Sequence, residues 1–446
     1  MQAHADPSST RTGGLIPAAR GLWSGVGWPE RLLLLAVVLL PFQQALTLEI
    51  GFPLKASELL GGVGVVWVAV RDRGGLLRAR GSILILALAG LVVVSSLWTV
   101  FAGERAGGGD AYPHGLIFDL VQYTGYALFA LALYLAVAST LTADQLSTAI
   151  AWAVRLAALY VVVQLVVWAF GASGLLEALL NGTTQLGSQY GVPIPRNGPL
   201  REGNYLGFFA VTVAMIAYRA RDRWTLGIGL FLVLYSQSTV ALLGIAAAGL
   251  AMVVLRPSRL KLIVGGAVLA IGAAAAVALP PVTRFITGQL TKLGLIPNTL
   301  GPAYEYSLRS RSANADAGFA MALDHPLLGV GQGRYALHYA DYLDPTGLPE
   351  GFADRYVRPI ANNVYAQLAA ETGWLALLLL IALLGWLAWW ARKESDGALG
   401  LVAAVAVGLI AFPAWTNLMV WVVLAAAAVF TRTVGSPAAL KDTPDR

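Results

Sequence analysis

PPVTRFITGQLTKLGLIPNTLGPAYEYSLRSRSANADAGFAMALDHPLLGVGQGRYALHYADYLDPTGLPEGFADRYVRPI, residues 280–360, is the one long segment of this 446-residue chain that is too polar to cross a bilayer. It holds seven basic and seven acidic side chains. Apolar runs flank it on both sides, nine before it and three after. Chemistry done by a chain so organised is expected to gather in that polar stretch.

The rest of the sequence is membrane-like. Hydrophobic residues make up 57% of it, charged residues 12%, and the mean hydropathy is +0.69, far from the mixture of soluble domains. A span needs about 20 apolar residues, and suitable runs lie near 31–48, 56–70, 82–100, 116–139, 146–170, 203–218, 224–236, 240–255, 261–279, 360–391, 398–412 and 416–431. The expected fold is an all-α polytopic membrane protein of about 12 transmembrane helices with a large extracytoplasmic loop carrying short amphipathic helices. Its parts are a cytoplasmic tail over 1–30, nine spans over 31–279, the loop over 280–360, three spans over 361–432 and a second tail over 433–446.

Charge sets the orientation. With both termini inside, the cytoplasmic segments and the span ends that border them carry eighteen Lys or Arg against four in the short outer loops, Lys55, Arg105, Arg196 and Arg201, and the excess of basic residues marks the inner side. Residues 280–360 and 171–202 are then both outside. Thirteen tryptophans and sixteen tyrosines are the number expected of interfacial belts. The chain has no cysteine, which excludes disulfides, thiolate nucleophiles and iron–sulfur ligation. No DxD, HExxH or close acidic pair falls on the outer side, so the sequence implies neither metal nor cofactor, and nothing in it points to nucleic acid.

Within the loop, Pro280-Pro281 ends the ninth span. Apolar Phe319, Ala320 and Leu323 at helical spacing predict a helix over 309–323, and 334–343 predicts an amphipathic helix. The glycines of GVGQG (329–333) lie between them, which predicts a two-helix lid hinged there. Tyr335, Tyr339 and Tyr342 are of the kind that stacks on sugar rings. In the tenth span Asn363, Gln367 and Glu371 recur every four residues along one face, and a carboxylate at that depth must face protein or a wet cavity.

Three strings in order, PRNGPLREGNYLGFFA (195–210), LDHPLLGVGQGRY (323–335) and NNVYAQLAAETGWLALLLL (362–380), resemble the O-antigen ligase and polymerase superfamily of bacterial membrane glycosyltransferases. The resemblance covers about 195–380 by motif and the remainder by topology. It implies an undecaprenyl-diphosphate-linked glycan as donor, a glycan or lipid A core as acceptor, membrane lipids as surroundings, and metal-independent transfer on the outer face of the inner membrane. A departing diphosphate gathers negative charge that fixed guanidinium groups stabilise. The resemblance therefore points to Arg311, Arg334 and Arg196 for catalysis; any base is expected from this chain's own residues, His338 first, because an imidazole titrates near neutrality, with Asp324 and Glu202 as rivals and transfer without a base as the other alternative. Arg201, Glu202, Asn204, Arg309, Asp324, Asn362, Asn363 and Glu371 are the expected substrate contacts.

The chain departs from the ligases at two places. Where they carry a histidine at the head of the tenth span, this sequence has Asn362, which cannot accept a proton at neutral pH. Ser236-Gln237-Ser238 is followed by Thr239 instead of arginine. Both weaken the ligase assignment and leave the wider family standing, and the missing histidine shifts the expectation toward a polymerase or a divergent transferase. The rival reading is a transporter or flippase of lipid-linked sugars; it requires charges lining a path through many spans, and here the intramembrane charges are few.

Overall fold

The computed structural model describes residues 26–42, 44–45, 47–49, 53–101, 116–180, 182–188, 192–298, 302–346, 348, 352 and 358–432. Most of the two expected tails and the loop at 102–115 lie outside these. The described residues form eighteen α-helices and two short two-stranded sheets. Five helices are long and apolar enough to cross a membrane: Ser82–Phe101, Ile117–Thr140, Ala143–Ala169, Arg259–Ala278 and Trp374–Glu394.

The other apolar runs form shorter helices, among them Arg223–Tyr235, Thr239–Leu255 and Leu418–Phe430. Side-chain caps set several of these lengths. Asp222 Oδ1 accepts from Thr225 N (3.0 Å), Ser238 Oγ from Ala241 N (3.3 Å) and Asn417 Oδ1 from Met419 N (2.9 Å), each fixing the first turn of a helix. Between Arg223–Tyr235 and Thr239–Leu255, Gln237 takes a left-handed backbone with φ of 50°, so the run through Ser236-Gln237-Ser238 is two helices with a sharp joint. The short helix Leu418–Phe430 is buried along its whole length. By contrast Arg259–Ala278 buries no residue, and a helix apolar all round and bare on all sides has its solvent in lipid.

Two expectations for the polar segment change. The tenth span, expected as one helix over 360–391, is two: α1, Val364–Thr372, and α2, Trp374–Glu394. Gly373 separates them with φ of 87°, a conformation that glycine adopts freely, and a Cβ there would collide with the Leu327 carbonyl. The second change concerns the glycine turn, which is locked instead of hinged. Val330 N donates to Ala370 O (2.8 Å), Gly331 N to Glu371 O (3.1 Å) and Trp374 N to Pro326 O (3.0 Å). Gln332 Nε2 adds a bond to Thr372 Oγ1 at 2.5 Å. The turn thus satisfies the carbonyls that the break at Gly373 exposes, and Gly329, Val330, Gly331 and Gln332 are all buried.

The remainder of the segment is packed down on this joint. Helix α3, Pro280–Lys292, follows directly on Arg259–Ala278. Helix α4, Pro302–Asp324, extends the predicted 309–323 helix toward its N-terminus. Helix α5, Tyr335–Tyr342, docks on α4 through Asn314: Tyr335 Oη donates to its carbonyl (2.6 Å) and Tyr339 Oη to its Oδ1 (2.5 Å). Those two tyrosines, expected to offer rings to sugars, are 1% and 2% exposed. Phe319 of α4 stacks on Trp374 of α2 at 6.1 Å, tying the segment to the membrane helices.

Candidate functional site

Arg196 and Arg311 come from segments 115 residues apart in sequence and line one cavity of about 260 Å³. That is just below the ~300 Å³ at which small-molecule sites begin, a size suited to a headgroup and not to a whole lipid-linked glycan. Asn204, Thr239, Lys292, Ser312 and Asn363 complete its polar side, while Val240, Leu243, Val407, Ile410 and Ala411 give an apolar wall. Among the described residues lining it there are three cations and no carboxylate.

Each cation has a local reason for its place. Arg196 follows a hairpin in which Leu186–Gly187 pairs antiparallel with Ile194–Pro195. The hairpin and the turn after it are pinned by Asn197, whose Oδ1 accepts from Gln185 N (2.9 Å) and whose Nδ2 donates to Thr183 O (2.8 Å) and Leu200 O (2.7 Å). Gly187 and Gly203 flank the arginine; a Cβ on Gly187 would come within 2.6 Å of Arg196 Cδ, and one on Gly203 within 3.1 Å of its Cγ. Arg196 Nη1 itself donates to Ser236 O at 3.5 Å, at the joint marked by Gln237.

Arg311 sits on α4, and Asn204, in the first turn of helix Gly203–Ala220, holds it. The hydrogen-bond partners fix the amide so that its oxygen accepts from Arg311 Nη2 (2.5 Å) and Nη1 (3.3 Å), while its nitrogen donates to Ser238 Oγ (3.1 Å). Lys292 is the last residue of α3. That helix is joined to the same region where Thr239 Oγ1 donates to Gln289 Oε1 at 2.5 Å. Asn363 caps α1, its Oδ1 accepting from Tyr365 N (3.0 Å) and Ala366 N (3.1 Å).

The electrostatics follow from burial and like charge. Burial holds the Arg196 guanidinium below its ordinary pKa; Glu202 opposes that shift and Arg311 adds to it. Lys292 is pushed down to about 7, first by burial and then by Arg196 and Arg311. A cavity that keeps three cationic side chains together with no lining carboxylate is organised for an anion, because fixed donors around an unscreened site favour negative charge.

The other residues singled out in the sequence are distributed as follows. Arg334 caps α5 and is 2% exposed; its Cδ lies beside Gly331, as does Thr99, and it does not line the cavity. His338 is half-buried with its ring 6.3 Å from that of His325. Asp324 Oδ2 accepts from Tyr342 Oη at 2.9 Å. Arg201 and Arg309 are exposed, and half-buried Glu202 is the N-cap of Gly203–Ala220. Asn362 is left-handed (φ 53°) and its Nδ2 donates to Ile360 O at 3.4 Å. Glu371 is 2% exposed and accepts from Gln367 Nε2 and Trp415 Nε1, both at 3.2 Å, which links α1 to the segment before Leu418–Phe430.

Of the twelve expected site residues, the structure thus brings Arg196, Arg311, Asn204 and Asn363 together and spreads the other eight. Lys292 and the apolar wall were not singled out in the sequence, and Thr239 was noted there only as a departure from the ligase pattern. A lysine ending an amphipathic helix gives no local signal; only its place beside Arg196 and Arg311 in the folded cavity reveals it. Among the described residues no group of three or more His, Cys, Asp or Glu is arranged to hold a metal ion.

No curated protein matches the chain. Residues 224–381, which carry Thr239, Lys292, Arg311, Asn363 and the locked glycine turn, match the family described as O-antigen ligase, and that match supports the likeness of this part of the chain to the O-antigen ligase and polymerase superfamily.

Proposed function

We propose that the protein transfers or polymerises glycan from an undecaprenyl-diphosphate carrier on the outer face of the bacterial cytoplasmic membrane. The family match over residues 224–381 supports a glycosyltransferase in general. The observation that carries the finer reading is the cavity itself. Its cations and amides lie on one side and Val240, Leu243, Val407 and Ile410 on the other. A prenyl diphosphate has the same two-sided chemistry.

In this reading the donor's diphosphate lies among Arg196, Lys292 and Arg311, and its chain leaves along the apolar wall. An acceptor hydroxyl attacks the anomeric carbon, the bond from that carbon to the diphosphate oxygen breaks, and the electron pair goes to the diphosphate. The hydroxyl proton is released as the new glycosidic bond forms. Positioned guanidinium groups stabilise the charge that builds on the leaving oxygen. The residues are neutral donors and fixed cations, so the reaction drawn from them uses no metal. Arg334, His338 and Glu371 stand away from this cavity and act, in this reading, on the folding of the outer segment around it.

The test is transfer by the purified protein from an undecaprenyl-diphosphate oligosaccharide, with and without an acceptor glycan. Extension without acceptor marks a polymerase, and transfer only with acceptor a ligase. Glycan that is neither transferred nor extended, while lipid-linked sugar crosses sealed vesicles, would put the flippase reading in its place.

A further inference from the structure

Arg196 is only as well placed as the hairpin that leads into it. Leu186–Gly187 and Ile194–Pro195 pair over two residues each, and Arg196 N adds a bond to Gln185 O (3.0 Å). A two-stranded ribbon that short is marginal by itself. Asn197 bonds Gln185, Thr183 and Leu200, all within the segment, and so closes it on itself. The side chain that fixes it against a membrane helix is Gln164, which comes from outside it.

Gln164 lies in the apolar helix Ala143–Ala169, about 8 Å before its end, and is wholly buried at 0% exposed. An amide in a span is costly unless its donors and acceptor are bonded, and here both ends are. Nε2 donates to Asn197 Oδ1 (3.2 Å) and Thr183 O (3.4 Å), while Oε1 accepts from Gly198 N (3.1 Å) and Tyr235 Oη (3.3 Å). The two partners of Oε1 flank the arginine. Gly198 follows it closely in the chain, and Tyr235 ends helix Arg223–Tyr235 directly before Ser236, whose carbonyl accepts from Arg196 Nη1 (3.5 Å). One oxygen therefore sets the backbone that carries the arginine against the backbone that orients its guanidinium. Gly198 permits the approach: its φ is 56°, and a Cβ there would come within 3.0 Å of Val161 Cγ2, one turn before Gln164 on the same helix. Joining Ala143–Ala169 to Arg223–Tyr235 would need Tyr235 alone; the other three bonds all go to the segment of Arg196.

We propose that Gln164 is a positioning residue for transfer, holding Arg196 at the distance and angle from which its guanidinium meets the donor's diphosphate. This rests on the function proposed above. Gln164 is not among the residues lining the cavity, so it acts through Arg196. Without it the hairpin keeps its own bonds through Asn197 but shifts relative to Ser236, and the guanidinium turns away from the diphosphate. A misplacement of about 1 Å is enough to cost a reaction about a hundredfold.

The experiment is a double-mutant cycle on glycan transfer by the purified full-length protein from an undecaprenyl-diphosphate oligosaccharide, with melting temperatures measured alongside. Gln164→Met keeps the length and volume of the side chain and removes all four bonds. It should lower kcat/KM for the donor by about ten- to a hundredfold in protein that is still folded. In the Arg196→Ala background the same substitution should change kcat/KM by less than about twofold, because the group it positions is gone. Tyr235→Phe deletes only the tie to the joint at Ser236; it should cost about threefold alone and nothing further beside Arg196→Ala. It takes the place of Gln164→Met in the cycle if that variant fails to fold. Wild-type kcat/KM in folded Gln164→Met, or in Tyr235→Phe where it stands in, would overturn the inference and leave the function standing. So would a loss that multiplies with that of Arg196→Ala, which is the signature of an amide that serves the fold alone. Arg196→Ala with wild-type transfer would overturn the donor site itself and the inference with it.

Discussion

Arg219 lies 3.3 Å from Glu394, Arg155 lies 3.3 Å from Asp222, and Arg256 and Lys261 reach Asp396 at 3.3 and 2.8 Å. Arg311, by contrast, meets the amide of Asn204, and Arg196 meets the carbonyl of Ser236. The first set falls on the side that the charge count assigns to the cytoplasm, the second at the cavity on the opposite side. A carboxylate orients an arginine and also cancels its charge. An amide or carbonyl orients it and leaves the charge in place. The same residue type is thus used for topology and packing at one end and for holding an anion at the other, and the difference is readable only from its partners.

The comparison breaks most severely if Arg311 can be removed without consequence. Arg311→Ala should lower glycan transfer by about 10²–10³-fold, equivalent to about 2.7–4 kcal/mol of barrier, with little change in melting temperature because its partner Asn204 is left as a neutral group. Normal turnover in a properly folded variant would remove the cavity as the diphosphate site.

At the paired end the expectation reverses. Arg219 and Glu394 are each 16% exposed, and the guanidinium also lies 4.3 Å from the centre of the Phe430 ring. Arg219→Ala should cost about 2 kcal/mol of stability, more than a surface pair and less than the 3–5 typical of a fully buried one, while transfer per folded molecule stays within about twofold. Arg219→Leu combined with Glu394→Leu should regain most of the loss, since no charge is then left unpaired. A double variant no better than the single would mean that the pair is not what holds these helices together.

A single atom exchange tests the distinction itself. Asn204→Asp keeps the geometry that orients Arg311 but supplies the carboxylate the cavity lacks, giving it the character of the carboxylate-paired end. Transfer should fall by about tenfold or more, about 1.4 kcal/mol, while the protein becomes no less stable. An Asn204→Asp variant with wild-type donor affinity would show that the net charge of the cavity is not what matters.

How much of this was legible beforehand depends on how local the signal is. The membrane helices were legible because apolar runs report themselves, although their lengths were not. Caps at Asp222, Ser238 and Asn417 cut several runs short, and the break at Gly373 lies within a run whose hydropathy scarcely changes. Arg196, Arg311, Asn204 and Asn363 were found because polar residues in so apolar a chain are few, and because the family resemblance weights them. The glycine turn was recognised but misread. Alone, GVGQG is a flexible string, and only its bonds to Ala370 and Glu371 make it rigid. Lys292 carries no pattern at all; its meaning comes from two arginines contributed by other segments.

The smallest expected effect concerns His338, the base candidate read from the sequence in place of the histidine that the resembling ligases carry. An imidazole acts as a base only within reach of the proton it accepts, at about 2.6–3.2 Å or through one water, and His338 is not among the residues lining the cavity. It sits instead on α5 with its ring beside that of His325, on a helix fixed to α4 by Tyr335 and Tyr339. His338→Gln, which keeps hydrogen-bonding capacity and removes the titration, should change turnover by less than about threefold and leave the acidic limb of the pH–rate profile where it is. A hundredfold loss with that limb abolished would move the acceptor's chemistry from the Arg196–Arg311 cavity to the histidine pair. The two regions of the polar segment would then divide the reaction between them, with the amide-held arginines serving the donor and α5 serving the acceptor.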